Sequence, residues 1–271
     1  MARPTSTSPG TGAFARRTVD ELTIEDERSF RHVAIYADLK EVLRRAKYPF
    51  CVLPESLAGR GDRALLLNLT FWGADAGGDV LESATLPADV VAHAAWHHLA
   101  AKALGAAASG APSVDGLFLG EAIASAFDVY LVGRLLGHAP SSTFLETQVP
   151  AMAEAAESAG LEEDAFESML EGIASDPEQA FTDLRELLFD ATSALFACES
   201  VEEASGALAK FDEHRFASLL HRYELSNWVL YARAYGNATP DDRARAIDAT
   251  LRSQKLPLEW LASEWVTPAL S

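Results

Sequence analysis

The chain has 271 residues, and 49% of them are hydrophobic, so it can bury a sizeable core without disulfide bonds. Its 40 acidic and 22 basic side chains give a formal net charge of −18, which repels the phosphates of nucleic acids and anionic lipids. No uncharged apolar run reaches the ~18 residues that span a bilayer, so we expect neither nucleic acid nor a membrane as a partner. Two cysteines and the lack of an export signal favour a cytoplasmic protein.

The N-terminal part of the chain predicts a leader followed by mixed structure. Residues 1–22, whose first part is rich in Ser, Thr, Pro and Gly, are expected to form a disordered leader. Apolar residues at helical spacing between Ile24 and Ala46 predict one or two helices, which end before Pro49. Residues 50–53 and 64–72 are β-prone runs bounded by turn residues, so they predict a small β-sheet.

Two helices joined by a short loop follow this sheet. The first is predicted from near Pro87 to Gly105, and the second from a cap at Asp115 through Leu136. The loop between them consists of small and polar residues. The two helices are therefore expected to pack as an antiparallel hairpin.

This hairpin carries a candidate metal site. His93 and His97 lie four residues apart, so both imidazoles project from one helix face. Glu121 and His97 both lie roughly 8 to 11 Å from the connecting loop, so the hairpin brings the carboxylate level with the histidines. Ser125 and Asp128 share the face of Glu121 and could orient the histidines. Two imidazoles, one carboxylate and an open fourth position predict a Zn2+ site, although iron and manganese accept the same ligands.

The sequence around these ligands resembles the gluzincin zinc metallopeptidases, which have the pattern HExxH followed by a ligand glutamate on a later helix. The matching residues are His93-Ala94-Ala95-Trp96-His97 and Gly120-Glu121-Ala122-Ile123-Ala124-Ser125. Glu121 follows His97 by 24 positions, a spacing most similar to that of the angiotensin-converting-enzyme group. The resemblance covers only about residues 90–136.

The resemblance implies a zincin-like core in which His93, His97 and Glu121 bind Zn2+. It also implies a peptide substrate that lies along the predicted strand containing Leu67 and Leu69. Two positions depart from the family. Ser125 stands where an aspartate often orients a histidine, with Asp128 one turn further as a stand-in, and Ala94 stands where the family has its general-base glutamate.

Ala94 leaves three interpretations open. In the first, alanine replaces a natural glutamate and inactivates an enzyme. In the second, the alanine is natural, and the protein is a pseudoenzyme that binds a peptide or protein partner in its cleft. In the third, His98 acts as the base, one turn from position 94. His221 and Tyr223, in a later helical region, are candidate donors to an oxyanion.

Beyond Pro140 the pattern is helical throughout. Helices are predicted at residues 149–159, 162–174, 177–198, 201–223, 228–235 and 240–252, the last with Thr239 as its cap. Residues 141–190 contain 13 acidic side chains and one basic side chain, Arg185. A solvated acidic face is the simpler interpretation, and docking of a basic partner is the alternative.

The sequence as a whole predicts a mainly helical α+β protein. Residues 23–140 are expected to form a zincin-like metal-binding core with a small β-sheet and a two-helix metal site, and residues 141–271 an acidic helical region that completes the cleft. The competing hypothesis is a non-enzymatic helical interaction module without metal.

Overall fold

The structure is a computed structural model that describes residues 14–54, 56, 79–105 and 112–271. The predicted strand at residues 64–72, with Leu67 and Leu69, lies outside the described residues. The described part is mainly helical with a small amount of β-sheet, as the sequence predicts.

Within the described residues, five short strands form two small sheets. The strands are β1 (Ala15–Arg17), β2 (Thr23–Glu25), β3 (Phe50–Val52), β4 (Val80–Leu81) and β5 (Thr85–Pro87). In one sheet β3 lies between antiparallel β1 and parallel β4, and in the other β2 pairs in parallel with β5. The strand predicted at residues 50–53 is confirmed. The predicted leader, residues 1–22, extends too far, because β1 pairs with β3 and Val19 is buried.

The helix predicted between Ile24 and Ala46 is confirmed only in its second half, where α1 spans Tyr36–Ala46. The first half forms β2 and a 3-10 turn at Ser29–His32 instead. Asp26 explains the difference, because its φ of 57° does not fit a right-handed helix. Its carboxylate also accepts hydrogen bonds from the hydroxyls of Ser29 and Ser142, both at 2.5 Å.

The two central helices have nearly the predicted bounds: α2 spans Ala88–Leu104 and α3 spans Val114–Leu136. The cap of α3 is Ser113, whose hydroxyl accepts the backbone N–H of Gly116 at 3.0 Å. Asp115, the predicted cap, binds Arg245 Nε at 2.9 Å instead. The helices pack closely, since a Cβ on Gly120 would lie 3.2 Å from Ala100 Cβ.

The remaining helices surround this hairpin. They are α4 (Thr143–Ser158), α5 (Glu163–Ser175), α6 (Pro177–Phe196), α7 (Val201–Leu208), α8 (Arg222–Tyr235), α9 (Asp242–Ser253), α10 (Pro257–Leu261) and α11 (Thr267–Ala269), with a π-turn at Ala262–Val266. The prediction of a single helix over residues 201–223 is wrong. Helix α7 ends at Leu208 and is followed by two 3-10 turns. Near these turns the ring Nδ1 of His214 accepts a hydrogen bond from the backbone N–H of Phe216. Asp241, rather than Thr239, caps α9.

One hydrophobic core joins the two predicted regions. Helix α6 packs along α3, and a single cluster of buried side chains contains residues from Val19 to Val266. Helix α3 is long and apolar enough to cross a membrane, but 78% of its most apolar window is buried, as in the core helix of a globular fold.

Candidate metal centre

Half-buried polar side chains lie where α2 and α3 pack together. Every residue of α3 from Phe118 to Gly133 is buried except Glu121, Ser125 and Asp128, which are half-buried on one face. On α2, His93 and His97 are half-buried in the same way. Because α2 and α3 run antiparallel, His97 faces Glu121 and His93 faces Asp128.

Three side chains from the two helices converge on one point. The ring Nε2 atoms of His93 and His97 are 3.0 Å apart, and His97 Nε2 lies 3.7 Å from Glu121 Oε2. The ligand atoms of all three residues lie within 4.8 Å of one another. Ligands at zinc distances of about 2.0 to 2.2 Å are separated by about 3.3 to 3.6 Å in a tetrahedral site. These residues could therefore hold a metal ion after small side-chain movements.

Asp128 lies behind His93. Its Oδ2 is 3.0 Å from His93 Nδ1, so Nδ1–H can donate to the carboxylate while the Nε2 lone pair faces His97. A carboxylate in this position is the usual support of a metal-binding imidazole, because it fixes the ring and its tautomer. Ser125 lies between Glu121 and Asp128 on the same face of α3.

The charges around this point favour a cation. Burial lowers the pKa of His93, but the carboxylates of Asp128, Glu121 and Asp79 outweigh burial and raise it to about 9. Burial and the charge of Asp128 raise the pKa of Asp89, one turn before His93, to about 6. The shift of His93 reflects the negative charge of the carboxylates around it. A divalent ion would partly neutralise that charge.

Glu224 is a further acidic group near this centre, and the sequence analysis missed it. Helix α8 packs against α3, and Glu224 lies in its first turn. Burial, Glu121 and Asp128 raise the pKa of Glu224, whereas His221 and His93 lower it. These electrostatic influences place the beginning of α8 beside the candidate metal centre. The ring of His221 lies edge-to-face with that of Tyr223 at 6.4 Å between centroids, and Tyr223 is 61% exposed.

The remaining candidate residues lie elsewhere. Ala94 is fully buried in the hydrophobic core. The ring of His98 packs edge-to-face against Tyr48 at 5.5 Å between centroids, and burial, assisted by Lys102, lowers the pKa of His98 to about 4. His98 is not one of the converging ligands, so its placement against Tyr48 does not support the interpretation that it acts as a base.

The acidic segment, residues 141–190, lies on α4, α5 and α6. Its acidic side chains on α4 and on most of α5 are exposed, which fits a solvated face. Its one basic residue, Arg185, is fully buried. Docking of a basic partner on this segment stays a prediction.

Comparisons of the chain with protein-family models, curated proteins and solved structures found no match. The case for a metal centre therefore depends on the side chains of α2 and α3. Their spacing in sequence and their positions in the fold agree.

Proposed function

We propose that the protein binds one zinc ion through His93, His97 and Glu121, in the manner of the gluzincin metallopeptidases. The convergence of the three ligand atoms, with Asp128 behind His93, supports this proposal. Two imidazoles favour zinc over harder cations such as magnesium or calcium. Three protein ligands leave a fourth position for water or for a group of a bound molecule.

In this proposal α2 and α3 form the metal-binding part of a zincin-like core, and a peptide or protein segment is the ligand of the cleft. Bound zinc would polarise a peptide carbonyl. The chain has no general base at position 94, because the buried methyl group of Ala94 cannot accept a proton from a metal-bound water. Positioned acid–base groups contribute about 10²- to 10⁴-fold to such rates. We therefore propose a peptide-binding pseudoenzyme of this class.

Metal analysis of the purified protein tests the zinc proposal. We expect about one zinc per chain after dialysis against micromolar zinc, and loss of that zinc in His93→Ala and in Glu121→Gln. His138→Ala, which changes an exposed histidine outside the centre, should retain the metal. Circular dichroism of each variant checks that it is folded. A folded parent protein without bound zinc would contradict the proposal and favour the non-enzymatic interaction module.

Peptide hydrolysis tests the consequence of Ala94. We expect the unaltered chain to leave a fluorogenic peptide library intact. Chelator-sensitive cleavage by the unaltered chain would contradict the pseudoenzyme proposal. If alanine replaces a natural glutamate, a folded, zinc-binding Ala94→Glu variant should cleave the library in a chelator-sensitive way, and an inert variant that still binds zinc would reject that interpretation.

A further inference from the structure

A cavity of about 770 Å3 lies between the 3-10 turn at Ser29–His32 and helix α1. Its volume is in the range of sites for small organic ligands, about 300 to 1,000 Å3. Part of its wall is apolar and comes from Ile24, Phe30, Val33 and Ala37. The rings of Phe30 and Tyr36 contact each other at 5.2 Å between centroids, so this wall includes an aromatic pair. The cavity is separate from the metal ligands, none of which lines it.

The acidic side chains that line this cavity already have partners. Asp26 accepts hydrogen bonds from Ser29 and Ser142. Lys40 Nζ lies 2.5 Å from Glu27 Oε1. Glu41 Oε1 lies 3.0 Å from Arg45 Nε, and its other oxygen pairs with Arg44. Basic side chains of the protein therefore pair with Glu27 and Glu41, and hydroxyl groups bind Asp26.

Two of the basic side chains have no such partner. Arg28 and Arg31 line the cavity, and neither makes an ion pair within the described residues. Both are exposed and extend from the same short turn. Two guanidinium groups without an ion-pair partner in the described part of the chain form a local positive site on a protein with a net charge of −18. Guanidinium groups bind carboxylates and phosphates through paired hydrogen bonds.

We propose that this cavity binds a small organic anion with an apolar body. Its carboxylate or phosphate head group pairs with Arg28 and Arg31, and its body contacts Ile24 and Ala37, two apolar lining residues that keep accessible surface. None of the metal ligands lines this site, so the anion proposal does not depend on the zinc proposal.

Calorimetric titration of the full chain tests this site with three ten-carbon probes below their aggregation limits. The probes are decanoate, decyl phosphate and neutral decanol. We expect decanoate or decyl phosphate to bind, and the double variant Arg28→Gln/Arg31→Gln to weaken binding about tenfold or more. The matched double variant Arg243→Gln/Lys255→Gln removes the same charge from exposed positions on α9 and beyond it, and should bind like the parent. The tighter of the two anions identifies the head group.

The proposal is overturned if neither anion binds, if decanol binds as tightly as the anions, or if both double variants bind equally.

Discussion

His93 Nδ1 lies 3.0 Å from Asp128 Oδ2, and the opposite ring nitrogen of His93 lies 3.0 Å from His97 Nε2. One imidazole thus joins a carboxylate on α3 to the second histidine on α2. Asp128 reaches this position because it lies two turns after Glu121, on the half-buried face of α3. The arrangement presents the Nε2 lone pair of His93 in a fixed direction.

Asp128→Asn tests this support. The amide keeps the size of the side chain but loses its charge, so we expect zinc affinity to fall about 10- to 100-fold while one site per chain remains at saturation. Competition with a chromophoric chelator measures the change. Ser125→Ala, on the same helix face, is the control and should change affinity little. Equal affinities for the two variants would show that Asp128 does not support a metal ligand.

Glu224→Gln tests whether the beginning of α8 contributes to the centre. Removal of one negative charge near the ion should weaken zinc binding about three- to tenfold, and more at low salt than at high salt. Glu202→Gln, an exposed acid in the first turn of α7, is the matched control. If the effect of Glu224→Gln on zinc affinity did not change with salt, Glu224 would not interact electrostatically with the ion.

Asp89 gives a prediction for the pH dependence of stability. Its pKa is raised from 3.8 to about 6, so the folded state favours the protonated acid and loses stability as pH rises from about 4 to 6. Asp89→Asn should therefore raise the free energy of unfolding of the metal-free protein by about 1 kcal/mol above pH 6, and by much less near pH 4. Urea denaturation in the presence of a chelator measures both values. Asp38→Asn, an exposed acid in α1, should show no such difference between the two pH values.

Arg185 and Asp248 form a buried ion pair that joins α6 to α9. Arg185 is completely buried, and its Nη1 donates to Asp248 Oδ1 at 2.5 Å. Asp248→Asn leaves the guanidinium with only the partly exposed Glu186 as a charged partner, so we expect a loss of about 3 kcal/mol in unfolding free energy.

The apolar double variant Arg185→Met/Asp248→Leu distinguishes the net contribution of the ion pair from the cost of one buried charge without a partner. It should recover most of that loss, because neither charge is then buried alone. Asp190→Asn, which removes an exposed partner of Arg252, should cost less than about 1 kcal/mol. Chemical denaturation measures all three variants. A double variant less stable than Asp248→Asn would show that the pair itself stabilises the fold.

Gly133 tests the close approach of α3 to the end of α5 and the start of α6. A Cβ at this position would lie 2.5 Å from the backbone oxygen of Ile173, so Gly133→Ala should destabilise the fold by about 1 to 3 kcal/mol. Gly206 in α7 has open space around it, and Gly206→Ala should stabilise the fold by about 0.5 kcal/mol. Thermal unfolding distinguishes the two. If Gly133→Ala did not change the stability of the fold, the helices would be able to move apart without a loss of stability.

Helices α2 and α3 could be predicted because the residues that determine their ends are close to them in the sequence. Pro87 and Gly105 bound α2 within one residue, and counting from the connecting loop placed Glu121 beside His97. The ligand group therefore follows from helix geometry alone. Asp128 was recognised for the same reason, since it shares a helix face with Glu121.

Features that depend on distant contacts could not be predicted in this way. Strand β1 exists because β3 offers it a pairing partner about 35 residues further along the chain. Glu224 lies about a hundred residues after Glu121, and no periodicity connects them. Only the packing of α8 against α3 brings it to the centre.

The dependence of α3 on α6 has a consequence for biosynthesis. Translation proceeds from the N-terminus, so α3 leaves the ribosome about forty residues before α6, the helix that packs along it. During that interval a nascent chain exposes a helix as apolar as a membrane span. Such intermediates aggregate readily, so the yield of soluble protein should depend on chaperones that shield this segment until α6 has been synthesised.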